Sequence, residues 1–223
     1  MILSEMHLHT KEVSPCGNVS AREIPALYKR CGYGNIVVTD HFIERYLKKL
    51  SPNRTMALNL WLEGYQIVAE VGEKIGLNVF LGMEITLNES ENEYLIYGIS
   101  ENFVKNCGDI FNSNIDQLYK LIKDNGYQMY QAHPFRGKCQ LQSPEYLDGI
   151  EVFNGNRRHE SYNHYAFEAA KAHQLKMLAG SDFHEYEDLG CGGVYLPQVV
   201  KTNVDLVKYL SENDPELWRS TNT

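Results

Sequence analysis

Short apolar runs, each cut off by an ionisable residue, recur along this chain and restrict its fold more than any other feature. NIVVTDH (35–41) is β-branched and brief, as a strand buried on both faces should be. The stretch before it, SAREIPALYKRCGYG (20–34), opens on a capping serine and closes on glycines, which predicts a helix. Residues 54–76 carry apolar side chains at helical intervals and stop at Gly76. LNVFLGMEITL (77–87) and NEYLIYGIS (92–100) read as strands, with polar NESEN turning between them like a hairpin. The second half keeps the rhythm: helix 114–126, strands 127–133 and 148–154, helix 160–174, strand 175–182, a short strand in 190–197 and a helix around 204–210. Such alternation implies parallel strands with helices outside. Seven or so strands suit a closed or nearly closed barrel, and no linker or repeat divides the chain, so 1–223 reads as a single α/β domain. No G-x-G-x-x-G follows the first strand, which leaves dinucleotide binding without support.

The residues that end these runs are of one chemical kind. The first strand ends in His7 and His9, and an i, i+2 pair on a strand faces the same way. The next ends in Asp40 and His41, FLGME in Glu84, YQMYQAH in His133, and KMLAGSDFH in Asp182 and His184. In a parallel α/β barrel these ends share the face that carries the active site. Imidazole and carboxylate without thiolate at any strand end suit Zn, Mn or Fe. The set exceeds what one tetrahedral ion takes, so a multinuclear centre of two to three divalent ions is expected.

Composition excludes other classes. A net charge of −8 disfavours a phosphate-backbone partner, so no nucleic acid is expected. No apolar run is long enough to span a bilayer, and MILSEMHLH has neither the basic start nor the apolar stretch of a signal peptide. Five scattered cysteines without C-x-x-C spacing read as reduced thiols, and the expected compartment is the cytoplasm.

MHLHT, VVTDH, GMEIT, AHP and AGSDFH, in this order, resemble the polymerase and histidinol phosphatase (PHP) family, and the resemblance runs from residue 1 to about 195. It implies a distorted (β/α)7 barrel, a trinuclear metal site and phosphoesterase chemistry, with a C-terminal helix and tail beyond. By motif, His7, His9, Glu84 and Asp182 would bind one metal, His41 and His184 a second, and Glu84 and His133 a third. Two positions depart from the family pattern. Where many members place a His or Asp after H-x-H, this chain has TKEVSPCG, leaving Glu12 or Cys16; Glu12 is preferred because its hard oxygen matches the other ligands. The histidine that often follows the fourth strand is missing, and Glu101 is the nearest replacement.

Further roles follow. Arg136, beside His133, and the pair Arg157–Arg158 are candidate phosphate readers, since guanidinium offers a planar fork to phosphoryl oxygens. Asp40 is expected to fix a ligand imidazole. His159, His164 and His173 are read as structural or surface residues. The reading is then a metal-dependent phosphoesterase acting on a small-molecule phosphomonoester by attack of a metal-bridging hydroxide, with Glu84, Asp182 and His184 at the reacting centre. The alternatives are an amidohydrolase-like metal-dependent C–N hydrolase and a non-catalytic metal-binding domain.

Overall fold

The computed structural model describes residues 1–220; positions 221–223 of the expected tail lie outside the described residues. In chain order the elements are β1 (Ile2–Glu5), α1 (Ile24–Arg30), β2 (Asn35–Val38), β3 (His41–Phe42), α2 (Glu44–Leu50), α3 (Arg54–Ile75), β4 (Asn78–Thr86), β5 (Glu93–Tyr97) and α4 (Glu101–Asn106). Then follow α5 (Ile115–Asp124), β6 (Gln128–Gln131), β7 (Gly149–Asn154), α6 (Asn163–His173), β8 (Lys176–Gly180), β9 (Gly192–Leu196), α7 (Asn203–Glu212) and β10 (Glu216–Arg219). The sheet runs β10-β9-β1-β2-β4-β5-β6-β7-β8, with β3 paired to β4. It curls into a nearly closed, distorted barrel, because the chain beyond β8 returns to the chain beyond β1: Leu8 and Phe183 form a parallel bridge, with His9 N bonded to Phe183 O at 3.0 Å and Phe183 N to His7 O at 3.1 Å.

The strands are not all parallel, which corrects the sequence reading. β5 runs antiparallel to both β4 and β6, and β9 runs antiparallel to β1 and β10. The polar hairpin at 88–92 reverses the chain, so β5 presents its beginning, not its end, to the rim that the other strands reach with their C-termini. The segment after α7 also holds β10, a strand that the expected C-terminal helix and tail did not include.

β1 changes partners halfway. Ile2–Ser4 pair with β9, and the stretch from His7 onward pairs with the chain at Phe183. The buried Glu5 carboxylate fills the gap in the ladder: its Oε1 accepts from the backbone N–H of Met6, His7 and Ser181 at 2.8–3.0 Å, and its Oε2 from the Tyr28 hydroxyl. Burial nonetheless pushes the Glu5 carboxyl up to about 7. An apolar plug with Met6, Val37, Phe80, Leu95, Tyr130 and Leu178 is buried. Phe80 and Glu84 share one face of β4, so the plug underlies the carboxylate.

α3 starts from an Asn53 side-chain cap on Met56 N and ends at Gly76 in the left-handed region (φ 67°). Its mid-helix Gly64 has a different reason. A Cβ there would lie 2.7 Å from Asp40 Oδ2 and still closer to Thr10 Oγ1, so glycine lets the helix close on the loop behind the site. Gly64→Ala in an exposed helix would gain about 1 kcal/mol. Here overpacking of about 1–3 kcal/mol outweighs that gain. A lower urea midpoint than the parent is expected, and an equal or higher one would show that the loop gives way without cost.

Candidate metal centre

Three backbone devices bring the ionisable residues together. Parallel pairing of β3 with β4 puts His41 opposite Glu84 in register. The Leu8–Phe183 bridge sets His7 and His9 against Asp182 and His184. His133 (φ 26°) and Asp182 (φ 50°) sit in backbone regions that non-glycine residues rarely occupy, which turns both side chains inward where β6 and β8 end. Gly180 supplies the clearance, since a Cβ there would strike the Cβ of His7. His7, His9, Glu84, His133, Asp182 and His184 are all buried, and His41 nearly so.

Each inward imidazole is held from behind. His7 Nδ1 donates to Glu151 Oε1 at 3.0 Å, and His184 Nδ1 to the Asp182 carbonyl at 2.9 Å. Asp40 accepts from Thr10 N, Thr10 Oγ1 and Ser14 Oγ, all at 2.7 Å. With its proton given to Asp40, Ser14 Oγ accepts from His9 Nδ1 at 3.2 Å. Asp40 therefore reaches the His9 imidazole through Ser14 and not by direct contact. The result in all three rings is a bare Nε2 lone pair facing the centre.

Those lone pairs face carboxylate oxygens. His7 Nε2 is 3.2 Å from Glu84 Oε1 and 3.3 Å from Asp182 Oδ1; His9 Nε2 is 3.3 Å from Glu84 Oε2 and 3.3 Å from Asp182 Oδ1. His41 Nδ1 is 2.8 Å from Glu84 Oε2, and His133 Nε2 is 3.1 Å from Glu84 Oε1. Yet His7 Nε2, His9 Nε2, His41 Nδ1 and Glu84 Oε2, all buried, make no hydrogen bond. Acceptors packed against acceptors require a cation. Ligand bonds of about 2.1 Å place tetrahedral neighbours roughly 3.4 Å apart, the spacing seen here. Among the described residues four such groups overlap: His7, His9 and Asp182; His7, Glu84 and His133; His9, His41 and His184; and His41, Glu84 and Glu93. Glu84, His7, His9 and His41 are each shared between two of these groups.

Protonation shows the same demand for positive charge. Burial would raise the Glu84 carboxyl, but His7 and His41 outweigh it and hold it well below the usual range. Asp182 is likewise pulled well below against burial, by His7, Arg136 and His184. Burial opposes a charge on His133 too, yet its bonds to Cys139 and Glu84 and the Glu84 charge bring it to about 9. His9 alone among these imidazoles is driven well below its ordinary value, by burial and by its neighbours His184 and His41.

Several side chains are placed where the sequence did not put them. Glu12 is exposed and turned away, its carboxylate accepting from Ser20 Oγ and Ala21 N at 2.9 Å. Cys16 instead lines the cleft with His41 and His184. Glu101 follows the end of the reversed β5, on the far side from the rim, and pairs with Lys105 at 3.1 Å. Glu93, at the start of that strand, reaches the centre: its carboxylate is 3.5 Å from His133 Nε2 and 3.8 Å from His41 Nδ1. Arg136 spends its guanidinium on Asp182 Oδ2 (2.7 Å), Asn154 Oδ1 (2.6 Å) and Ser161 Oγ. Arg157 opens onto a neighbouring depression of about 210 Å³ and does not line the cleft. Arg158 does line it, tied to Asp188 at 3.0 Å and Glu185 at 3.4 Å, and so do Arg45 and His159, which sequence reasoning passed over or read as surface. His164 faces another groove and His173 ends α6.

The cleft above the cluster holds about 220 Å³. Larger depressions of about 460, 700 and 880 Å³ lie elsewhere, without such a cluster among the described residues. No described helix is long and apolar enough to cross a membrane.

Residues 160–215 match the PHP-associated family. The fold is similar to that of a two-domain protein of Bacteroides vulgatus containing a predicted PHP-like metal-dependent phosphoesterase, with TM-score 0.73 and 17% identity over 98% of this chain. The chain spans 64% of that protein's length. PsfC of Pseudomonas syringae is also similar, with TM-score 0.69 and 15% identity over 99% of this chain and 92% of that one. An amidohydrolase of Chromobacterium violaceum, with sulfate bound and no metal, gives TM-score 0.57 and 15% identity, covering 97% of each chain. No curated protein sequence matches. The PHP-associated match covers residues 160–215, and the barrel is shared with these proteins across nearly the whole chain.

Proposed function

We propose that this chain is a metal-dependent phosphoesterase that cleaves a small phosphomonoester. The observation that carries the reading is the buried convergence of imidazole lone pairs on Glu84, Glu93 and Asp182 oxygens at the floor of a cleft of about 220 Å³. His7, His9, His41, Glu84, His133, Asp182 and His184 would hold two to three divalent ions, with N/O donors suited to Zn, Mn or Fe. Such ions, when bound, supply Lewis acidity toward phosphoryl oxygens and activate water at neutral pH. The chain's own groups do the rest. Glu84 and Asp182 neutralise the cations, and Arg136 clamps Asp182 in place. Arg158 and Arg45 line the cleft, where they offer charge-assisted donors to an anionic group. Burial of the floor keeps bulk water from the donor set.

A C–N hydrolase is the second reading, favoured by the amidohydrolase fold neighbour. The arginines separate the two. A contact from Arg158 to a phosphoryl oxygen is worth roughly 1.5–3 kcal/mol. Arg158→Ala should therefore lower kcat/KM for a phosphomonoester by about 10- to 150-fold, at unchanged metal content. Inorganic phosphate should inhibit the parent competitively and this variant less. A panel of phosphomonoesters assayed with Mn, Zn, Mg and Fe in turn is the test. No turnover on any ester, together with no phosphate inhibition, would put the C–N reading ahead.

A further inference from the structure

One wall of the centre carries a soft donor. Cys16 is half-buried and lines the cleft beside His41 and His184. Those two imidazoles, with His9, form one of the converging groups, whose ligand atoms lie within 4.8 Å of one another. His9 is fully buried, and its Nε2 faces that space with no hydrogen-bond partner. Three neutral imidazoles leave a tetrahedral divalent ion one ligand short at this position, and an anionic one would best balance its charge.

The loop is built to present Cys16 there. Ser14 Oγ and Thr10 are bonded to Asp40, Gly17 N bonds to Ser14 O at 2.9 Å, and Asn18 N bonds to His184 O at 2.8 Å. Gly17 permits the tight turn, since a Cβ there would lie 2.8 Å from Thr10 O. The loop's carboxylate, Glu12, is committed to Ser20 and Ala21.

We propose that Cys16 is a thiolate ligand, completing with His9, His41 and His184 a position of three nitrogens and one sulfur that selects zinc-like ions over Mn or Mg. This rests on the metal-centre reading above and goes beyond it. Thiolate suits borderline and soft ions, whereas the opposite end, with Glu84, Glu93 and His133, is richer in hard oxygen. The centre is thus graded in softness from one end to the other.

Cobalt(II) reports the ligand set without any substrate. Full-length protein stripped of metal and loaded with cobalt should show a sulfur-to-cobalt charge-transfer band in the near ultraviolet beside the visible ligand-field bands. Cys16→Ser should lose the charge-transfer band and keep ligand-field absorption, which also shows that the variant folds. Cys139→Ser is the control, because that thiol donates to Glu91 O and belongs to none of the converging groups, and it should keep both. X-ray absorption of the zinc-loaded parent should show one sulfur at about 2.3 Å. Cobalt bound with no charge-transfer band in the parent, or a band that survives in Cys16→Ser, overturns the thiolate ligand and leaves the metal centre standing. No cobalt bound at all overturns both.

Discussion

Glu84→Gln is expected to lose turnover and metal together. Glu84 is fully buried and lies within 2.8–3.3 Å of ring nitrogens from His7, His9, His41 and His133, so it touches four of the five imidazoles of the donor set. The amide keeps the shape and removes the charge that several cations would share. Removing one partner from a buried charge pair costs about 3–5 kcal/mol. That corresponds to a loss of roughly 10²- to 10⁴-fold in cation affinity. Metal content by elemental analysis and kcat/KM on the best phosphomonoester should fall in parallel. Normal turnover at parental metal content would remove Glu84 from the centre.

Stripping the metal should make stability strongly pH-dependent. Without cations the lone pairs facing Glu84 and Asp182 are balanced by protons, and His133 rises from 6.5 to about 9 for that reason. Its folded value lies above its unfolded one, so its contribution is complete below about pH 6.5 and is lost as pH rises through about 9. The size is on the order of 3 kcal/mol. For a chain of this length that is roughly 6–12 °C in Tm. His7 and His41, also raised well above their ordinary values, act in the same direction, as do Glu5, raised to about 7, and Asp40, raised to about 6. Glu84 and Asp182 act oppositely: their contribution is present above the ordinary carboxylate range and lost on acidification. The chelated protein should therefore be most stable at mildly acidic pH and should lose Tm from about pH 6.5 to 9. Metal replaces those protons, so the Tm gap between loaded and chelated protein should widen as pH rises. A gap that does not change with pH would mean that the imidazoles are not the ligands.

Much of this centre can be read from residue order. His7, His9, His41, Glu84, His133, Asp182 and His184 all stand where an apolar run stops, and a barrel rim collects the ends of its parallel strands. The same rule misplaced the carboxylate from the fifth strand. Because β5 is reversed, its beginning reaches the rim, so Glu93 enters the site and Glu101 is carried away from it. The polar hairpin before β5 was the available signal. Glu151 and Glu5 gave another, each a carboxylate inside or at the end of an apolar run: one orients His7, and the other bridges the break in β1 pairing. Loop direction is a different matter. Whether Glu12 or Cys16 faces inward depends on the bonds that tie the loop to Asp40 and His184, which join residues far apart in sequence. Arg136 was picked out for its position beside His133, but its use as the clamp on Asp182 needed Asn154 and Ser161 from a different βα unit.

Metal stoichiometry tests the account most directly. Protein purified without chelator, then saturated with Mn or Zn and freed of excess, should carry at least two ions per chain by elemental analysis, as expected of overlapping donor groups that share Glu84. One ion or fewer per chain under both loadings would contradict a multinuclear centre.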